Sequence, residues 1–183
     1  MLNVGYLTSD TTASGDEMYT PFYAVTPLIK YLKNNEYKTI WCPFDEEWSA
    51  YVRTFREEGF KVIRSSLSDG KDFFRYEPKE SYDVIISNPP FSRKDAVLRR
   101  LDALGKPFAI LLPLNSLQGK SRFEVFKNGI QILAFDQRIG FHSLKSMVTP
   151  IEGTPFASAY FCRDFLLRDL VVEKLDKYNK PLV

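Results

Sequence analysis

The sequence predicts an α/β fold: a mostly parallel sheet with helices on both faces and antiparallel strands at one edge. Three observations predict it. The short apolar runs KTIWCPF, DVIIS and PFAILLPL have the continuous hydrophobicity of strands buried on both faces. They alternate with stretches of helical periodicity, and a parallel crossover needs a covering helix. After Pro113 the pattern shifts to period-two segments, GIQILAFDQRIGF and TPFASAYFC, which read as an edge pair joined by a loop from His142 to Gly153.

One domain spanning 1–183 is expected, with residues 1–17 flexible, because TSDTTASGDE at 8–17 is small and polar. TPFYAVTPLIKYLK places Ala24, Val25, Leu28, Ile29 and Leu32 at helical spacing, with Thr20 as cap and Pro21 at the first position. The strand KTIWCPF follows. DEEWSAYVRTFREEGF is a helix with acids in its first turn and Gly59 at its end. KVIRSS is a second strand, DGKDFF a loop, YDVIISNPPF a strand and turn, RKDAVLRRLDALGK a helix and PFAILLPL another buried strand. The order is βαβ, loop, βαβ, that of a Rossmann-like sheet.

Composition bounds the function. The chain has 183 residues, 44% of them hydrophobic and 15% aromatic, enough for one full core. Twenty-five Lys and Arg against 23 Asp and Glu give a net charge of +2, so any nucleic-acid contact must come from a local patch. Cys42 and Cys162 lie in apolar strands without metal-ligand spacing, and His142 is the single histidine, which argues against a zinc site. No apolar run approaches the roughly 18 residues of a membrane span, and no basic-then-apolar leader opens the chain, so a cytoplasmic location is expected.

The most informative residues follow the strand Val84-Ile85-Ile86. Asn88-Pro89-Pro90-Phe91 must lie just past its carboxyl end, where open α/β sheets bind ligands. Two prolines cannot donate to a ladder, and each pushes the residue before it towards extended geometry, so the strand stops and the turn is stiff. An amide, a fixed carbonyl and a phenyl ring there could read a nucleobase. The same four residues could instead be a proline-stiffened turn with Phe91 in the core.

NPPF, with its preceding apolar strand, resembles the Asp/Asn-Pro-Pro-aromatic tetrad of the adenine-specific amino-methyltransferases, enzymes that use S-adenosylmethionine to methylate the exocyclic amine of adenine in DNA. Tyr19-Thr20-Pro21, ahead of the first strand, resembles that family's N-terminal cofactor-binding element. DGKDFF lies where the family touches the cofactor's adenine, which implies Asp72 and Phe73 as contacts. RIGF and GTPFASAYFC look like the closing edge strands of small phage-borne members. The resemblance covers Tyr19 to Cys162, and the tetrad is its specific part. It implies Asn88, Pro89, Pro90 and Phe91 as the catalytic turn, and a cofactor lying over Pro43, Phe44 and Asp45.

This sequence departs from the family in its first turn. CPFDEEW keeps Pro43 and Phe44, but Cys42 takes the acidic place, and Glu46 and Trp48 stand where glycines are usual. Asp45 or Glu46 pairs with the cofactor's ammonium group, or the acids complement a helix N-terminus. The second strand ends in Arg64-Ser65 instead of a carboxylate for the ribose hydroxyls.

Methyl transfer from a sulfonium is an in-line displacement, and a ring-conjugated amine is a poor nucleophile. The Asn88 amide oxygen and the Pro89 carbonyl would accept its two N–H bonds and stabilise the developing positive charge. Phe91 would stack on a base swung out of the helix. Lys94, Arg99, Arg100, Lys120, Arg122 and Lys127 read either as a phosphate-contacting rim or as solvated helix faces. Arg138, Phe141 and His142 lie on a segment long enough to reach a substrate, with His142 expected at the polar surface. The chain has little to spare beyond residues 140–155 for reading sequence, so it reads little, acts on RNA or needs a protein partner. A rival of another class is a non-catalytic binding module that keeps the fold. A dinucleotide oxidoreductase is disfavoured because no GxGxxG follows a strand.

Overall fold

The computed structural model describes residues 18–183. The expected flexibility of 1–17 lies outside the described residues. A seven-stranded sheet of order β2-β1-β3-β4-β6-β5-β7 organises the chain. Its strands are β1 (Thr39–Cys42), β2 (Lys61–Arg64), β3 (Val84–Ser87), β4 (Phe108–Pro113), β5 (Gln131–Phe135), β6 (Ser158–Arg163) and β7 (Leu170–Glu173). β2, β1, β3 and β4 pair in parallel, β6 runs antiparallel to both β4 and β5, and β7 pairs parallel with β5. The fold is the expected Rossmann-like one, mostly parallel with an antiparallel component. The single reversed strand, however, sits one place inside β5, and the edge belongs to β7, which the sequence reading did not anticipate.

The period-two alternation of β4 explains the two layers. Ala109 and Leu111 face one core, while Phe108, Ile110 and Leu112 face another, and all are fully buried. The first core receives helices α1 (Phe22–Val25), α2 (Ile29–Asn34) and α3 (Ala50–Glu57); the second receives α4 (Lys94–Leu104) and α5 (Phe123–Phe126). Helices therefore cover both faces. The expected first helix is broken into α1, a 3₁₀ turn at Thr26–Leu28 and α2, because Pro27 has no N–H to continue the ladder. Pro21, with ψ 155°, is itself the N-cap of α1, one place later than expected. Helix α3 is capped by Ser49, whose hydroxyl accepts from the Tyr51 N–H, and not by the acids before it.

Among the described residues, no helix is long and apolar enough to cross a membrane. Both cysteines are free and buried, as read from their apolar strands. The chain after β7 doubles back over the first helical layer. Lys180 pairs with Glu57 and lies over the Phe22 ring, and Leu182, 1% exposed, donates its N–H to the Met147 carbonyl.

Candidate functional site

The sheet order changes direction between β1 and β3: the chain leaves β1 for β2 on one side and returns past it to β3 on the other. The crevice outside the carboxyl ends at such a point is where open α/β sheets bind ligands. A cleft of about 480 Å³ lies there, walled by the turn after β1, the loop after β2, the turn after β3, Met18 to Thr20 and, from the far end of the chain, Leu182.

Asp45 and Asn88 meet in this cleft. Asp45 lies in the turn after β1 and is 6% exposed. It accepts from the Ser49 hydroxyl at 2.5 Å and from the Ser87 hydroxyl at 2.5 Å, so it ties the α3 cap to the end of β3. Burial raises its pKa to about 6 against the lowering effect of the two serines, and nearby Glu46 adds to the rise. Asp45 thus acts neither as a helix cap nor as a surface acid; it is a desolvated carboxyl held inside a ligand-sized space.

Asn88 follows Ser87 directly. Its Nδ2 donates to the Met18 carbonyl at 2.7 Å, which fixes which end of the amide is oxygen. Its Oδ1 is buried and has no hydrogen-bond partner among the described residues. A buried acceptor left unpaired costs about 1–3 kcal/mol, so a donor from outside the chain is the natural complement.

Of the residues marked by the sequence, Tyr19, Thr20, Phe44, Asp45, Asn88 and Pro90 line the cleft. Pro21, Pro43 and Pro89 are buried and do not line it. Phe91 stands outside it, edge-on to Phe156 at 5.6 Å and to Phe141 at 6.3 Å, in a half-buried aromatic group. Asp72 and Phe73 also fall outside. Phe73 is 2% exposed and packs on Trp41 at 5.4 Å and Phe44 at 4.9 Å, a core position that supports the cleft from behind. The Asp72 carboxylate accepts from the Phe74 N–H at 3.0 Å, closing a local turn. Asp72→Ala is therefore expected to cost about 1 kcal/mol of stability and leave ligand affinity unchanged. A calorimetric drop in affinity at constant Tm would return Asp72 to the site.

The basic rim is mostly occupied. Arg122 is buried and bonded to the Ser116 carbonyl, the Gln118 carbonyl and Asp95; Arg100 reaches the Phe73 carbonyl, Lys94 the Phe91 carbonyl, and Lys127 pairs with Glu124. Arg99 and Lys120 remain as exposed cations. Arg138 donates to the Thr154 carbonyl, and Phe141 and His142 are buried, so these residues pin the long loop. His142 is fully buried, contrary to its expected surface position, because its backbone pairs with Tyr19 and its Nδ1 meets the Ser146 carbonyl at 2.8 Å. Gly140 is needed in this loop, since a Cβ there would meet the Ile151 carbonyl at 2.6 Å.

Trp48, a departure from the family's glycines, and Glu46, a departure that also offered a partner for the ammonium group, both line the cleft, and Trp48 meets Tyr19 edge-on at 4.7 Å. Sequence reasoning missed Ser49, Ser66, Ser68 and Leu182. The run SSLS just past β2 carried a usable signal, since it sits at a strand's carboxyl end. Leu182 carried none.

No family model matches the chain, and no curated protein matches it. Among solved structures it is similar to a crystal structure of a possible methylase from Clostridium difficile 630. The TM-score is 0.29 and the sequence identity 14%, over 74% of this chain. The match covers 34% of the other chain, so the present sequence spans about a third of that protein's length.

Proposed function

We propose that the protein is an S-adenosylmethionine-dependent methyltransferase acting on the exocyclic amine of adenine in DNA. The observation that carries this reading is the unpaired, buried Asn88 Oδ1 at the mouth of a switch-point cleft. The lining also fits the cofactor. Two carboxylates, Asp45 and Glu46, and the rings of Tyr19, Phe44 and Trp48 line it, and no Lys, Arg or His does so among the described residues. Such a lining favours a ligand with cationic centres and disfavours a pyrophosphate, which supports the cofactor over a dinucleotide.

In this reading Asp45 faces the ammonium end, with Ser49 and Ser87 holding its carboxylate in place. S-adenosylmethionine supplies a methyl carbon made electrophilic by the attached sulfonium. Asn88 Oδ1 accepts one N–H of the incoming amine and stabilises the charge that develops on nitrogen as the new bond forms. Met18 keeps the amide from turning its nitrogen to the same place. Pro89 and Pro90 hold the turn stiff, and Phe91, half-buried beside Phe141 and Phe156 just outside the cleft, would offer an aromatic surface to the extruded base. The resemblance of the tetrad to the DNA adenine enzymes supports DNA as substrate. Of the six basic residues on the rim after the tetrad, only Arg99 and Lys120 are exposed without a bond given above, which supports weak unaided binding at the site, with a protein partner supplying sequence recognition.

S-adenosylhomocysteine is expected to bind with a dissociation constant on the order of micromolar, seen by calorimetry. Labelled methyl transfer is expected on adenine-containing DNA. No heat and no thermal shift at millimolar ligand would leave a binding module in place of an enzyme, and label on RNA alone would move the substrate to RNA.

A further inference from the structure

We infer that Glu46 is the residue that reads the ribose of the bound nucleoside, a role that rests on the cofactor reading above. In sheets of this topology the ribose hydroxyls are commonly met by a carboxylate at the end of the second strand. Here that place holds Arg64, and Arg64 is already committed. Its Nε donates to Glu47 at 2.7 Å, and its Nη1 pairs with Asp69. A guanidinium held this way is not offered to a phosphate, so the site is not a 2′-phosphate pocket either.

Asp45 and Glu46 are consecutive, yet their side chains bond to different walls of the cleft. Asp45 turns towards β3, where it holds Ser87. Glu46 turns towards the loop after β2, where its Oε1 accepts from the Ser68 hydroxyl at 2.7 Å. The turn after β1 thereby delivers a carboxylate to the position that the second strand leaves without one.

Counting protons identifies the kind of ligand. Ser68 has one hydroxyl proton and gives it to Glu46, so in its 2.6 Å contact with Ser66 it is the Ser66 hydroxyl that donates, a single proton for which Asp69 Oδ2, 3.2 Å away, competes. Glu46 Oε2 forms a long ion pair with Arg64 Nη1 at 3.6 Å, beyond hydrogen-bond range, and the Arg64 donors go to Glu47 and Asp69, so most of the carboxylate's roughly four acceptor positions stay open. This end of the cleft is thus rich in acceptors and short of donors. A vicinal diol, with two O–H donors on adjacent carbons, supplies what is missing; a phosphate, carrying only acceptors and negative charge, would be repelled.

The test compares S-adenosylhomocysteine with its 2′,3′-dideoxyribose counterpart on the whole chain by calorimetry. The unaltered protein is expected to bind the diol form about tenfold or more tightly, the scale of a charge-assisted hydrogen bond. Glu46→Gln is expected to weaken binding of the diol form while leaving the dideoxy form nearly unchanged, so that most of the discrimination disappears at constant Tm. Ser68→Ala, which frees Glu46 from its neighbour, is expected to keep the discrimination and so to separate loss of the carboxylate from disturbance of the loop. Equal binding of both ligands by the unaltered protein, or full discrimination in Glu46→Gln, would overturn the assignment while leaving the cofactor reading intact. Failure of the unaltered protein to bind either ligand would overturn both.

Discussion

Asn88→Ala is expected to lower the rate of methyl transfer by about a hundredfold or more, the scale seen when one hydrogen-bond partner of a transition state is removed. The substitution deletes the Oδ1 acceptor and the bond to the Met18 carbonyl but keeps Pro89 and Pro90, so the turn persists. Loss of the Met18 bond costs about 1 kcal/mol, partly offset because an unpaired buried oxygen goes with it. On the proposed reading the acceptor meets the amine, so the affinity for S-adenosylhomocysteine should change little. Single-turnover rates, Tm and calorimetric affinity on the same protein separate these effects. Near-normal transfer on adenine DNA would remove Asn88 from the chemistry; an unfolded variant would make it a clamp on Met18.

Asp45→Asn is expected to make the free protein more stable at pH 7 and worse at holding its ligand. Burial raises the Asp45 pKa to about 6, above the roughly 3.9 of an unfolded aspartate. As pH rises, the unfolded chain gives up this proton first, so folding holds on to a proton that solution no longer favours. The contribution of the group is therefore full below about pH 4 and is lost as pH climbs through about 6, for a total near 3 kcal/mol. Asparagine has the same shape and can still bond Ser49 and Ser87, but it carries no such penalty. The lowered pKa values of His142 and of Glu47, Asp69, Asp83 and Asp95 act equally in both proteins, so the stability of the variant relative to the unaltered protein should grow between pH 4 and 7, with Tm several degrees higher at pH 7. Binding of an ammonium-bearing ligand restores the charge on Asp45, so calorimetry near pH 6 in buffers of different ionisation enthalpy should record proton release. Parallel pH curves for the two proteins would mean that Asp45 titrates normally.

The parts of this molecule written in local pattern were legible, and those decided by distant packing were not. Val84 to Ile86 and the whole of β4 announce themselves because both their faces are buried, which leaves an unbroken apolar run. The turn at Asn88 was legible because two prolines permit little else. β7 was not, since only Val171 among its four residues is buried, while Leu170 and Val172 stand 60% and 63% exposed. Asp72 and Phe73 were placed by order along the chain, but Trp41 and Phe44 claim the Phe73 ring for the core. Leu182 reaches the cleft through Met147 and Arg53, residues 35 and 129 positions earlier in the chain, and no local rule could foresee it. Asp45 shows the same limit in chemical form. The acid and Ser49, four residues on, were close in sequence, while Ser87, 42 positions away, and the burial that perturbs the acid came from elsewhere in the fold.

The place of β6 between β4 and β5 has a consequence for how the chain is made. β2, β1, β3 and β4 can zip together as soon as residue 113 has left the ribosome, but both sheet partners of β5 lie downstream of it. Until residues 158–163 emerge, β4 carries a bare edge of unpaired backbone groups along a wholly apolar strand, the kind of surface that recruits strands from other chains. A nascent chain stalled within 136–157 would aggregate before it misfolded in any subtler way, and ribosome-bound fragments ending there should require a chaperone that covers exposed strands. The reversed strand thus covers the bare edge of β4, with β7 completing the sheet after it, and the long loop before β6 sets how long that edge stays open.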